Sequence, residues 1–324
     1  MEQEFSVTEM ERLDHFLATH LGVSSNQVLQ CIKAGCVRVN SKACNKGGVK
    51  LKAGDLVGFT PPKAQAKPPC TPLDFEVIYE DADILVLNKP PNLVVHPAKG
   101  VCAPTLLDHL REKGYSLSNL NGELRCGIVH RLDKDTSGAI LVAKNNATHA
   151  HLAEQLKSKE MGRYYLAILS TPLNAPAKVE CNLGRHPKNR LKMTNLNALR
   201  QEIKGGKWSK SVFMPLATNP KGQQLIAVKL YSGRTHQIRA HLESLNRHIV
   251  GDPLYGQADN YKGRILLHAY LLYCTHPSTS QRLLFKAQIL PDMLEYLDIN
   301  FQGVSWDALL QECHIFDLFR ADFE

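Results

Sequence analysis

An arginine, a lysine and two aspartates crowd into His130-Arg131-Leu132-Asp133-Lys134-Asp135-Thr136-Ser137-Gly138, directly ahead of the apolar run Ala139-Ile140-Leu141-Val142-Ala143. Charged groups beside a core need partners or a task, because an unpaired one shifts its pKa or destabilises the fold. Asp135 precedes Thr-Ser-Gly, where a carboxylate commonly accepts backbone N–H bonds in a turn. Asp133 is not needed for such a turn. Two residues beyond Arg131, it can project beside a cation that favours its ionised form. An ionised carboxylate in a shielded cleft serves as a nucleophile or as an electrostatic stabiliser. The competing explanation for Asp133 is a structural ion pair.

Other segments are unusual in the same way. Gly233-Arg234-Thr235-His236-Gln237-Ile238-Arg239-Ala240-His241-Leu242 opens a helix with a dense set of charges and leads to the turn-rich loop Ile249-Val250-Gly251-Asp252-Pro253-Leu254-Tyr255-Gly256. Gly184-Arg185-His186-Pro187-Lys188-Asn189-Arg190-Leu191-Lys192-Met193 reads as a basic loop. His130, His236 and His268 invite acid–base roles, but hydrogen-bonded structural histidines are the expectation for all three.

The elements that position these residues divide the chain of 324 residues, which suits one large and one small domain. Pro61-Pro62-Lys63-Ala64-Gln65-Ala66-Lys67-Pro68-Pro69 has a linker's composition, so a module at 1–60, a linker at 61–72 and a body at 73–324 are expected. In the module, Leu13, Phe16, Leu17, His20 and Leu21 recur at helical spacing, and Ser24 or Ser25 can cap a second helix carrying Val28, Leu29 and Ile32. Gly35 ends that helix and Val37-Arg38-Val39-Asn40 alternates as a short strand. In the body, strands are expected at 84–88, 140–143, 164–169, 225–230 and 266–273, and helices at 105–113, 146–158 and 235–245. Strands and helices do not alternate regularly, which argues against a doubly wound parallel sheet. The fold class expected is α+β with a mixed, mostly antiparallel sheet. The tail 305–324, with Trp306, Leu309, Leu310, Ile315, Phe316, Leu318 and Phe319 among acids, reads as an amphipathic helix docked on the body.

Composition bounds the partners. The hydrophobic share of 44% and charged share of 22% are ordinary for a globular protein. The net charge of +8 is unevenly placed. Lys33, Arg38, Lys42, Lys46, Lys50 and Lys52 follow one another with no acid between. Arg185, Lys188, Arg190, Lys192, Arg200, Lys204, Lys207 and Lys210 are opposed only by Glu202. Concentrated basic surfaces suit a polyanion, because each phosphate neutralised releases counterions; solvated loops are the plainer alternative. Nine scattered cysteines without a Cys-x-x-Cys pair argue against a disulfide framework and for a reducing compartment. The N-terminus lacks a secretory pattern and no stretch is apolar enough to span a membrane. A cytoplasmic protein is expected.

Several motifs in order resemble the RluA-type pseudouridine synthases across essentially the whole chain: Asn88-Lys89-Pro90-Pro91-Asn92-Leu93-Val94-Val95-His96-Pro97, the Asp133 segment, Arg163-Tyr164-Tyr165-Leu166-Ala167, the Arg234 segment, and Leu267-His268-Ala269 with His276-Pro277. The module is similar to the S4 RNA-binding domain through Arg12-Leu13-Asp14, Ser24, Ile32-Lys33, Gly35, Val37, Val39-Asn40 and Lys52-Ala53-Gly54-Asp55. Ser25 stands where that family commonly has an arginine. The resemblance implies an isomerase that breaks the N1–C1′ bond of uridine and rejoins the sugar to C5, with no cofactor and no metal. It implies Asp133 as the catalytic carboxylate, Tyr165 packing on the base and helping to remove a proton, and Arg234 paired with Asp133. Ile238 would pack against the uracil and Arg131 would help displace the base. Arg185, Lys188, Arg190 and Lys192 are expected to bind RNA in the body, and Arg12, Lys33, Arg38 and Lys42 in the S4-like module. The implied partner is large-subunit ribosomal RNA or an assembling large subunit, with the chain a monomer.

Other readings differ in chemistry. His130-Arg131-Leu132-Asp133 echoes a kinase catalytic loop, but the order differs, the expected asparagine is missing and no glycine-rich phosphate loop is present. A retaining glycosidase generally needs a second acid, and Asp133 has no evident partner of that kind. A non-catalytic RNA-binding or ribosome-assembly factor would use the basic surfaces but has no need of Asp133. The same chemistry on transfer RNA is a further alternative.

Overall fold

The structure is a computed structural model that describes residues 3–23, 25–61, 70, 73–98, 100–199, 205–256 and 261–320. Most of the linker expected at 61–72 lies outside these residues, as do the Ser24 cap, Arg200, Lys204 and 321–324. The chain forms two compact units, Met1–Ala66 and Lys67–Glu324.

The first unit contains β1 (Gln3–Ser6), α1 (Leu13–Leu21), α2 (Ser25–Lys33), β2 (Val37–Val39), β3 (Lys42–Ala43) and β4 (Leu56–Phe59). Leu13, Phe16 and Leu17 of α1 meet Val28 and Ile32 of α2 over Val37, Leu51 and Val57, the stripe that the helical spacing predicts. Gly22 ends α1 in the left-handed region, φ 63°, where glycine is unstrained. The strands order β1-β4-β2-β3. The first strand was not expected from sequence: Gln3–Ser6 is too short and polar to show a pattern, and it is held by pairing with β4. Lys33, Arg38 and Lys42 are exposed. Arg12 is partly tied, its Nε and Nη2 donating to Asp14 at 3.1 and 2.8 Å.

The second unit is built on β5 (Glu76–Glu80), β6 (Ile84–Lys89), α3 (Leu106–Glu112), β7 (Ser137–Ala143), α4 (Asn146–Ser158), β8 (Gly162–Leu169), β9 (Ala177–Arg185), β10 (Met193–Asn195), β11 (Lys207–Thr218), β12 (Gln224–Leu230), α5 (Gln237–Ser244), β13 (Leu267–Thr275), β14 (Arg282–Lys286), α6 (Pro291–Asn300), α7 (Trp306–Leu309) and α8 (Glu312–Leu318). The sheet runs β10-β9-β11-β12-β8-β13-β7-β6-β5, with β14 also on β13. β13 and β7 are parallel; the other neighbours are antiparallel. The fold is therefore α+β on a mixed, mostly antiparallel sheet.

Both faces of the central strands are covered, which is why β6 and β7 read as unbroken apolar runs. Leu85, Leu87, Ile140, Val142, Tyr165 and Ala167 meet α3 and α5 on one face. Tyr164, Leu166 and Ile168 face the other, under Met293 and Leu297 of α6 and Ile315 of α8. α3 starts with a capping box in which Thr105 and Asp108 satisfy each other's backbone N–H groups.

The tail differs from expectation. It forms two short helices, α7 and α8, instead of one. Ile315 and Phe319 are nevertheless buried against the sheet, and Phe316 and Phe319 stand edge-on to Tyr164 at 5.2 and 5.3 Å.

Candidate active site

Asp133 lies on the loop that feeds β7, and that loop is clasped from beneath. Lys89, at the end of β6, is fully buried. Its Nζ donates to the carbonyls of Pro90 at 2.7 Å, Leu93 at 3.0 Å and Lys134 at 3.1 Å. The Thr136 N–H closes the turn on the Asp133 carbonyl at 3.2 Å. The turn is thus made by backbone. Among the described residues no hydrogen bond reaches the Asp135 carboxylate, contrary to the sequence expectation; Asp135 instead acts with Asp133 as an electrostatic partner of Lys89.

Strand pairing then sets Asp133 relative to Tyr165. Ala269 of β13 pairs with Gly138 of β7 on one side and Tyr165 of β8 on the other. Gly138 has φ 113°, and a Cβ there would overlap the Ala269 carbonyl oxygen and amide nitrogen, so only glycine permits this approach. Alternation along β8 turns Tyr165 to the site face and Tyr164 to the tail. Burial pushes the Tyr165 hydroxyl up to about 12, with Asp133 adding and Arg163 opposing, so the phenol is protonated at neutral pH.

α5 supplies another wall. The expected helix 235–245 begins two residues later, because His236 adopts the left-handed region at φ 54°. Gln237 Oε1 accepts the Arg234 N–H at 3.0 Å and the Ser232 hydroxyl at 2.7 Å, which fixes the entry to the helix. Arg239 clamps the 249–256 loop through Asp252, Nε to Oδ2 at 2.7 Å and Nη2 to Oδ1 at 2.6 Å. Burial raises the Asp252 carboxyl, but Arg239 and the Tyr255 and Leu254 N–H groups outweigh it and hold the group below the usual carboxylate range.

These elements enclose a cleft of ≈ 470 Å³, open to solvent, lined by Arg131, Asp133, Thr136, Arg163, Tyr165, Leu230, Arg234, Ile238, Arg239 and Leu267 among others. Asp133, Tyr165, Arg234, Arg131 and Ile238 therefore meet in one place. Adjoining it is a groove of ≈ 2030 Å³ that shares Arg131, Arg163, Gly233, Arg234 and Thr235. Arg125, Lys157, Lys159, Lys207 and Trp208 extend the groove, and among the described residues its lining contains no aspartate or glutamate. Lys159 ends α4 in the left-handed region at φ 68°, and its Nζ lies 4.4 Å over the Trp208 ring.

One expectation is corrected. Arg234 does not pair with Asp133: among the described residues no ion pair joins them, and Arg234 Nε donates to the Trp208 carbonyl at 3.0 Å. The Arg185–Lys192 loop does not border the Asp133 cleft or the groove. Arg185 Nη1 donates to the Arg190 carbonyl at 3.0 Å. Lys192 pairs with Glu243 at 2.7 Å, while Lys188 and Arg190 stay exposed. The histidines are hydrogen-bonded as expected. His130 Nε2 accepts the Leu141 N–H at 3.0 Å, His268 Nδ1 lies 2.9 Å from the Ser137 hydroxyl, and His236 Nδ1 lies 3.2 Å from the Tyr255 hydroxyl.

Sequence reasoning missed Arg163, Lys89, Arg239 and Trp208 as site components. Lys89 and Arg239 stood inside the quoted motifs, but their partners Lys134 and Asp252 are distant in sequence or unremarkable by type.

Residues 83–244 match the RNA pseudouridylate synthase family and residues 11–57 the S4 domain. A protein of Helicobacter pylori strain 26695, described as an uncharacterized RNA pseudouridine synthase, is 53% identical over 98% of each chain. Ribosomal large subunit pseudouridine synthase D of Neisseria meningitidis serogroup A is 35% identical over 89% of this chain and 78% of that one. The solved human RNA pseudouridylate synthase domain containing 1 has the same fold, with TM-score 0.53 at 22% identity over 71% of this chain and 97% of that one. The chain belongs to the RNA pseudouridine synthase family, an isomerase fold preceded by an S4 RNA-binding domain.

Proposed function

We propose that this enzyme converts uridine to pseudouridine in large-subunit ribosomal RNA, with Asp133 as the catalytic carboxylate. The observation that carries this reading is the position of Asp133 on a small cleft with Tyr165, Leu230, Ile238 and Leu267 as apolar walls, continuous with a groove whose described lining has cations and no acids. Such a groove holds phosphates, while the cleft receives a base taken out of its stack. The large-subunit assignment rests on the relatives named ribosomal large subunit pseudouridine synthase D.

In the reaction the N1–C1′ bond breaks, C1′ bonds to C5, the C5 hydrogen leaves as a proton and N1 gains one. Asp133 faces the sugar–base junction as nucleophile or cation stabiliser. Tyr165 and Ile238 pack the ring from the cleft walls. A phenol held at about 12 favours packing over direct proton abstraction for Tyr165. Arg131 takes the space left in the RNA stack, a role supported by its exposure on the rim shared by cleft and groove. Arg234 contributes positive potential from the same rim.

Large-subunit ribosomal RNA tritiated at uracil C5 should release tritium on incubation with the protein. Release from transfer RNA alone would move the substrate. No release from either RNA would overturn the proposal.

A further inference from the structure

Arg163 stands on β8 two residues before Tyr165, so both side chains share the site face. It is 8% exposed. Among the described residues it makes no ion pair and no hydrogen bond, and its Nε is buried without an acceptor. Burial lowers its pKa, as does the neighbouring cation Arg234. A guanidinium has N–H donors and no acceptor, and an uncompensated buried one opposes folding. Nearby, His130 Nε2 already accepts the Leu141 N–H, so Nδ1 carries the proton of the neutral ring, and it too is buried without an acceptor. The chain makes room for the guanidinium: a Cβ at Gly233 would stand 2.7 Å from Arg163 Nη1. Arg163 borders both the Asp133 cleft and the basic groove.

An arginine buried for structure would clamp carbonyls or a carboxylate, as Arg239 clamps Asp252. Arg163 does neither. We infer that Arg163 binds an anionic oxygen of the nucleotide that enters the Asp133 cleft. Two oxygens have this chemistry: a phosphodiester oxygen beside the flipped uridine, or O2 or O4 of the uracil ring when the N1–C1′ bond breaks with its electron pair left on the ring. Either is a charge-bearing acceptor that a guanidinium fork matches. The inference deepens the proposed function and rests on that reading of the cleft.

The test uses the full chain as wild type, Arg163→Met and Arg163→Lys. It reads the melting temperature, the salt dependence of binding to a large-subunit ribosomal RNA transcript, and single-turnover tritium release at saturating RNA. A ligand-binding Arg163 predicts that Arg163→Met melts at or above the wild-type temperature, because an unpaired buried charge is gone, while function is lost. A phosphodiester partner reduces the slope of log K against log salt by about 0.7. A uracil partner leaves that slope intact and slows release at least about tenfold. In either case Arg163→Lys recovers part of the loss. A lower melting temperature with wild-type slope and rate overturns the inference and makes Arg163 structural; so does a variant unchanged in all three. If the wild type itself releases no tritium, the reading of Asp133 fails, while the melting and salt measurements still decide whether Arg163 meets an RNA phosphate.

Discussion

Lys89 Nζ donates to the backbone carbonyl of Lys134 at 3.1 Å, across 45 positions of sequence, and Lys134 stands between Asp133 and Asp135. Burial pulls the Lys89 ammonium down toward about 7. Its three carbonyl acceptors hold it in the charged form, because a neutral amine has only two N–H bonds to give. Replacing it strands three carbonyls beneath the Asp133 loop. Lys89→Met should lower stability by about 2–4 kcal/mol and slow single-turnover tritium release more than it weakens RNA binding. Equal loss in both would show that Lys89 does not act through the Asp133 loop.

The parallel seam between β7 and β13 depends on Gly138. Any side chain there meets Ala269 backbone at a φ that L-residues resist. Gly138→Ala should cost at least about 3 kcal/mol, more than an alanine ordinarily would in a strand. A chemical-denaturation midpoint near that of the wild type would mean the seam can open without loss.

Arg239 and Asp252 form a buried pair, their side chains 8% and 1% exposed. Removing one partner leaves the other charge stranded, so Arg239→Met or Asp252→Asn should each destabilise by about 3–5 kcal/mol. Joint replacement should cost less than the sum of the two. Strict additivity in a double-mutant cycle would argue that the pair is not coupled.

Stability should fall on acidification. Burial holds His130 at about 3 and His241 and His268 at about 4, against 6.5 in the unfolded chain. Between pH 6.5 and about 4 the unfolded state binds more protons, so stability is complete above pH 6.5 and declines below it. Each histidine contributes a slope of roughly 1.4 kcal/mol per pH unit. His268→Asn should flatten the decline by about one proton. A denaturation midpoint constant from pH 7 to pH 5 would refute this.

Elements with an uninterrupted or strongly periodic pattern were legible in the sequence. α4 has its expected bounds, and β6 and β7 announced themselves because both their faces are buried. β9 and β11 were lost because their charged outward positions, such as Lys178, Glu180, Lys207 and Lys210, read as loop and basic run. Asp133, Tyr165, Arg234, Arg131 and Ile238 were found through ordered motifs, and the fold gathers them in one cleft. Residue type could not disclose which arginines are paired. Arg234 bonds to a carbonyl instead of Asp133, Arg239 is matched by Asp252, and Arg163 stands unmatched among the described residues. Those outcomes depend on contacts between strands and loops far apart in the chain.

The central claim is that Asp133 is the catalytic carboxylate, and Asp133→Asn tests it with little change of shape. The variant should hold large-subunit ribosomal RNA within about threefold of the wild-type affinity, while tritium release from uracil C5 falls by at least about 10⁴. Release at a rate near that of the wild type, with RNA bound as before, would contradict the account.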